Sequence, residues 1–301
     1  MYRRSLLVSA ISLLAACSTA PPPAPSPVTT PIPPPTPRLP RIGIALGGGG
    51  TKGFAHVGVI KALEAQGLQP QLIAGTSAGS VVGALYASGI DGFALQELAF
   101  GLDESRVRDL NLRSPWEGLV IGQKLQDYVN ELVKNRPIEQ LAKPFVAVAT
   151  QGDNGARVDF ARGNTGQAVR ASSSFPVFFK PTQILGKTYV DGCLVSPVPV
   201  DAARKLGADI VVAVDISAQL ERRVVFDGLS NVIDQSLIIM IKRLGEQELA
   251  RADVVIRPKV GRIGATDFDQ KDRAILEGEK AVAQALPAIR LAVQKWQASH
   301  P

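Results

Sequence analysis

The chain has 301 residues, 46% of them hydrophobic, 20% charged and 5% aromatic, with a formal net charge of +6. That apolar fraction excludes a disordered chain, and two cysteines exclude a disulfide framework. Two histidines, His56 and the penultimate His300, are too few and too far apart for a histidine-based metal site, and the basic residues form no aromatic-interleaved stripe that would bind nucleic acid.

At the N-terminus, Arg3 and Arg4 precede Leu6–Ala16, a run of 11 residues broken only by Ser9 and Ser12. A membrane-spanning helix needs about 20 apolar residues, so 1–16 reads as a secretory signal. The run ends Leu14-Ala15-Ala16-Cys17, which resembles a bacterial lipobox. The resemblance implies acylation of Cys17 as the mature N-terminus. Ser18 after it implies placement on the outer membrane of the bacterial envelope, facing the periplasm. An ordinary signal peptide with a chance cysteine is the alternative. Pro21–Pro40 then holds 11 prolines in 20 residues, which favours extended polyproline geometry. Residues 17–40 therefore read as a lipidated cysteine and a semi-rigid tether, and 41–301 as one large α/β domain.

Within that body, Ile42–Leu46 is a short apolar strand ending in glycines. Phe54–Gln66 has helical spacing closed by Gly67. Gln71–Ala74 is a second strand, and Ala78–Ser88 a helix of small residues. Phe145–Thr150, Ile210–Ile216 and Val254–Arg257 are β-rich runs typical of buried strands. Long helical patterns occupy 225–251 and 269–297. Within the first, Leu237-Ile238-Ile239-Met240-Ile241 fits core packing, with lipid contact as the rival reading. Residues 101–140 mix helix and loop and are a candidate lid. Alternating strands and helices predict a largely parallel sheet covered on both faces.

Gly47 to Gly53 joins the first strand to the first helix. Gly48, Gly50 and Gly53 spell GxGxxG, a dinucleotide pattern, but the second strand carries no acid for a ribose. The Walker pattern fails because Gly53 follows Lys52. What remains is a glycine-rich backbone nest suited to negative charge at a helix start. Gly75-Thr76-Ser77-Ala78-Gly79 matches GxSxG at a strand-to-helix junction, where a sharp turn exposes the serine and aims the N–H of Ala78 near the attacked carbonyl. Ser77 needs a base. No suitable histidine follows it, and His56 reads as a packed or surface helix residue. A carboxylate acting directly is expected, and Asp191 in Tyr189-Val190-Asp191-Gly192 sits at a strand end before a tight turn. Asp153, Asp159, Asp201 and Asp215 lack that context and suit turns or caps.

Together these segments resemble the patatin-like phospholipase family, which carries a GGGxKG loop, a GxSxG serine and an aspartate in DGA or DGG. The stretch Ala171-Ser172-Ser173-Ser174-Phe175-Pro176, and Ser196-Pro197-Val198-Pro199, also resemble family segments around the aspartate. Cys193 departs from the family's Ala or Gly. The resemblance implies a three-layer α/β/α sandwich with a mostly parallel central sheet, in a bacterial lipoprotein. It implies a serine lipid acyl hydrolase of phospholipase A or lysophospholipase type, with Ser77 as nucleophile and Asp191 as base. Gly48, Gly49, Gly50 and Ala78 would form the oxyanion hole, with no metal or organic cofactor. The implied partners are a phospholipid or other acyl-ester substrate and a membrane reached through the N-terminal anchor. A general carboxylesterase or thioesterase with the same dyad is the alternative. A nucleotide-binding protein and a non-catalytic envelope lipoprotein are the remaining classes.

Overall fold

The computed structural model describes residues 38–217 and 229–300. The signal, Cys17 and most of the tether lie outside the described residues. Eight strands form one sheet: β1 (Ile42–Leu46), β2 (Leu72–Thr76), β3 (Phe145–Gln151), β4 (Arg157–Phe160), β5 (Thr182–Ile184), β6 (Lys187–Asp191), β7 (Ile210–Val214) and β8 (Val254–Ile256). Their order is β5-β6-β3-β2-β1-β7-β8, with β4 also on β3. β3, β2, β1, β7 and β8 run parallel, while β4 and β6 are antiparallel to β3.

Strand periodicity divides the core. Ile42, Ile44 and Leu46 of β1 face one hydrophobic layer, and Ala45 faces the other. The first layer is filled by α1 (Phe54–Ala65), α2 (Ala78–Ala87), α3 (Gly92–Gly101), α4 (Gln123–Leu132), α5 (Thr165–Ser172) and α8 (Lys271–Ser299). The second is covered by α6 (Val200–Lys205) and the end of α7 (Leu229–Leu249). This is the α/β/α sandwich expected from the sequence.

The register of β3 decides where the site lies. Val148 pairs with Thr76 of β2 and with Asp159 of β4. Ala149 pairs with Asp191 of β6 and with Val158 of β4. A strand has two edges, so β4 fills one and β2 and β6 share the other. Since β2 runs parallel to β3 and β6 antiparallel, the two meet head to head. Thr76 and Asp191 therefore end on adjacent residues of a single strand.

Two sequence expectations shift. Residues 101–140 do not form one lid: α4 buries Leu125, Tyr128 and Val129 in the core, while the irregular stretch before it displays apolar side chains. The core packing expected for 237–241 is only partial: Ile239 is 49% and Met240 61% exposed, while Leu237, Ile238 and Ile241 are half-buried.

α1, which follows the glycine loop, packs along α8. The contact is close because glycines face it on both sides. A Cβ on Gly58 would lie 1.9 Å from the Ile275 carbonyl oxygen, and one on Gly278 would lie 2.1 Å from that of Ala55. On an open helix Gly→Ala is stabilising by about 1 kcal/mol. Here the sign inverts: Gly278→Ala lowers stability by about 1–3 kcal/mol through overpacking, read as a fall in Tm by circular dichroism.

Candidate active site

Ser77 sits between β2 and α2 with φ 53° and ψ −125°. A side chain rarely adopts a positive φ, and such strain persists only where surroundings impose it. The imposition is visible on both flanks. A Cβ on Gly75 would lie 2.4 Å from the Gly79 carbonyl oxygen, and one on Gly79 would lie 2.1 Å from that of Leu46. Only glycine at both positions lets the elbow fold back on itself. The Ser77 N–H donates to Ser172 Oγ at 2.9 Å, and Ser172 Oγ donates to the Val148 carbonyl, which clamps the elbow onto β3. The Ser77 carbonyl accepts from Ser80 Oγ at 2.7 Å. The Ser77 hydroxyl caps no helix N–H and is half-exposed, so it is available for chemistry.

Asp191 is fully buried at the end of β6. Its N–H donates to the Ser174 carbonyl at 2.9 Å, its carbonyl accepts from Thr150 Oγ1 at 2.8 Å, and its Oδ1 accepts from the Cys193 N–H at 2.8 Å. Oδ2 has no hydrogen-bond partner among the described residues. Burial pushes its pKa up to about 6, against the opposing pull of the Cys193 amide and then of the Ser77 hydroxyl. A desolvated carboxylate with one oxygen uncommitted and a serine hydroxyl beside it is a competent general base. The rival acids are occupied elsewhere: Asp159 pairs with Arg157, Asp201 with Arg251, and Asp215 with Arg257. Asp153 lies exposed in a turn.

The glycine loop closes on the same point. A Cβ on Gly48 would lie 2.2 Å from Cys193 Sγ and 3.1 Å from Ser77 Cβ, so the loop, the elbow and the aspartate turn converge there. The Gly48 N–H is engaged with the Pro197 carbonyl at 3.0 Å. The Gly49 N–H has no acceptor among the described residues. The N–H groups of Gly50 and Ala78 open a helical turn, where the backbone supplies none. The arrangement offers amide donors beside the Ser77 hydroxyl, with Gly48 supplying space. Cys193 is buried, and burial together with the neighbouring Asp191 pushes its thiol up, so it stays protonated and unreactive.

Three supports were not legible in advance. His56, wholly buried on α1, contacts the Gly47 carbonyl through Nε2 at 2.7 Å. Burial lowers its pKa to about 4, so the neutral ring holds the loop by donating from Nε2. Ser172 belongs to the serine run noted in the sequence, but its clamp on the elbow depends on a helix end no pattern marked. Glu248, buried near the end of α7, accepts from Ser196 Oγ at 2.5 Å and from the Val198 N–H at 2.8 Å. Ser196 in turn accepts from Thr76 Oγ1 at 2.8 Å, and Pro197 accepts from Gly48. One carboxylate thus fixes a three-residue bridge between elbow and glycine loop. Burial raises its pKa to about 7.

An α/β sandwich with a serine on a strand-to-helix elbow and a buried aspartate beside it defines the class. The chain belongs to the patatin-like phospholipase family, whose model matches residues 44–204. Among its relatives, an uncharacterised NTE family protein of Mycobacterium tuberculosis is 37% identical over 180 residues, covering 59% of this chain and 49% of that protein. The human patatin-like phospholipase domain-containing protein 6 is 32% identical over 194 residues, 60% of this chain and 14% of its own length. The chain thus spans about half the length of the mycobacterial relative or less of the others. VipD from Legionella pneumophila shares the fold, with a TM-score of 0.53 at 15% identity, covering 87% of this chain and 67% of that one.

In Glu248→Gln the amide oxygen can still accept from the Val198 N–H, but the NH2 group can only donate to Ser196 Oγ, which reverses that bond. The expected outcome is a fall in kcat of about tenfold with KM little changed. Steady-state kinetics on a soluble ester check it.

Proposed function

We propose that this protein is a serine lipid acyl hydrolase that cleaves acyl esters of phospholipids or lysophospholipids. The carrying observation is the meeting of β2 and β6 on one edge of β3, with the Ser77 hydroxyl close enough to the buried Asp191 carboxyl to act on its pKa. Family membership supports the lipid substrate class. In the proposed reaction, Asp191 takes the Ser77 proton as Ser77 Oγ attacks the acyl carbonyl. The oxyanion is held by the N–H groups of Gly49, Gly50 and Ala78, each worth about 3 kcal/mol in the transition state. Asp191 then returns the proton to the leaving alkoxide, and water hydrolyses the acyl-serine by the same steps in reverse.

Ser77→Ala and Asp191→Asn should each cut ester hydrolysis by about a thousandfold or more with the fold intact. The two differ in stability. The folded protein holds the Asp191 proton more tightly than an unfolded chain does, so raising pH from about 4 to about 6 destabilises it by about 3 kcal/mol. Asp191→Asn should therefore match or exceed the wild type in Tm at pH 8, while wild-type kcat/KM declines below pH 6. Full activity in either variant, or a pH profile flat through 6, contradicts the assignment.

We further propose that the N-terminal segment makes the protein an envelope lipoprotein anchored through Cys17, on the outer membrane and facing the periplasm. The support is the order of basic start, apolar run and lipobox-like ending. Two or more acyl chains anchor a domain stably, where one does not. Labelled palmitate should enter the wild-type protein in cells and not the Cys17→Ser variant; equal labelling contradicts the anchor.

A further inference from the structure

Six apolar side chains stand out from the surface together: Leu110, Leu112, Trp116 and Leu119 before α4, and Val177 and Phe178 before β5. Leu112 is 84% and Trp116 81% exposed. They are not displayed for want of structure. The Asn111 side chain is enclosed, donating to the Ser114 and Gly118 carbonyls and accepting from the Ser114 N–H. Leu119 N–H donates to the Val177 carbonyl at 3.3 Å, Val120 N–H to that of Phe178 at 2.8 Å, and Lys180 N–H to that of Val120 at 2.8 Å. A Cβ on Gly118 would lie 2.3 Å from Lys180 N, so the two segments are pressed together. Val177, a β-branched residue, is held at φ 73°, which turns its side chain outward at a cost in strain. This is a built frame with its greasy side outward.

Its charges are arranged to match. Each acid near the frame has a partner: Glu104 pairs with Arg108, Glu117 with Lys180, Asp103 accepts from the Ser105 N–H, and Asp109 from the N–H groups that open α4. Arg113, between Leu112 and Trp116, is exposed and makes no ion pair among the described residues. The outward face thus carries apolar side chains and one uncompensated cation, the composition that enters an anionic headgroup region. A groove of about 340 Å³ runs between the two segments and is lined by Val190, the residue before Asp191. The patch is therefore continuous with the strand that carries the proposed base.

From this geometry we infer that the Leu110–Leu119 loop and Val177-Phe178 form a surface that inserts into the outer layer of a lipid bilayer and brings the site to its substrate. The inference rests on the hydrolase reading above for its purpose, but not for its test. The chain has two tryptophans, so a full-length chain with Trp296→Phe reports on Trp116 alone. Adding Cys17→Ser removes any acyl anchor, and Ser77→Ala leaves the vesicles intact. On phosphatidylglycerol–phosphatidylethanolamine vesicles, Trp116 emission should shift to shorter wavelength and be quenched by brominated acyl chains. In a Cys17→Ser chain with Ser77 present, Leu112→Ser with Trp116→Ser should lower hydrolysis of vesicle lipid about tenfold or more while p-nitrophenyl butyrate hydrolysis stays within about twofold. The inference is overturned by unshifted Trp116 emission. It is equally overturned by emission already at short wavelength without lipid, which would mean the patch is covered by the chain itself or by another protein. A parallel loss on both substrates would mark the loop as structural and also overturn it. If the hydrolase reading alone fails, no ester is cleaved by any variant and the Trp116 shift persists.

Discussion

The site depends on one edge of one strand being shared. β3 offers its edge first to β2 and then to β6, and the changeover falls between Val148 and Ala149. Two chain ends that meet head to head must each turn away at once. β2 turns into α2 through the Ser77 elbow, and β6 turns through Gly192, where a Cβ would lie 2.2 Å from the Val148 carbonyl oxygen. Residues over a hundred positions apart in the chain are thereby neighbours by ladder register rather than by loop packing. A strand ladder holds spacing to a fraction of an ångström, which is the tolerance that proton transfer needs.

The surroundings divide into groups that hold and groups left free. His56 holds Gly47, Glu248 holds the 196–198 bridge, Ser172 holds the elbow and Ser174 holds the Asp191 backbone. Asp191 Oδ2 and the amides of Gly49 and Gly50 are what remains free among the described residues. Three of these groups titrate away from their ordinary ranges because they are buried, and each is neutralised or hydrogen-bonded by backbone rather than by a salt bridge. Pairing Asp191 with a cation would stabilise the fold and would also lower its basicity, so its isolation is a concession of stability to chemistry.

Much of this was legible in the sequence, for identifiable reasons. β1 and β7 are buried on both faces and read as unbroken apolar runs, as does β8, whose Val255 is half-buried. The elbow is legible because GxSxG follows such a strand, and the strand end at Asp191 because Tyr189-Val190 leads into a glycine turn. β2 extends two residues beyond its apolar pattern, since Gly75 and Thr76 carry the ladder by backbone alone. α5 and α6 are short and led by small or mixed residues, so periodicity did not mark them. Glu248 could not have been singled out: its partners lie 50 and 52 residues away, and only the sheet's second cover brings α7 against that bridge. The exposed faces of α7 and of the Leu110–Leu119 loop resemble core segments in sequence because hydrophobicity says nothing of which side is covered.

Cys193 and Gly48 occupy what is in effect a single volume. The thiol fills the space that the absent side chain vacates, at a separation no added carbon could share. Change at either position is consequently ordered in time. A lineage or a library that enlarges residue 48 must first shrink residue 193, whereas shrinking residue 193 alone only opens a void next to the serine. The two sites form a one-way gate in sequence space.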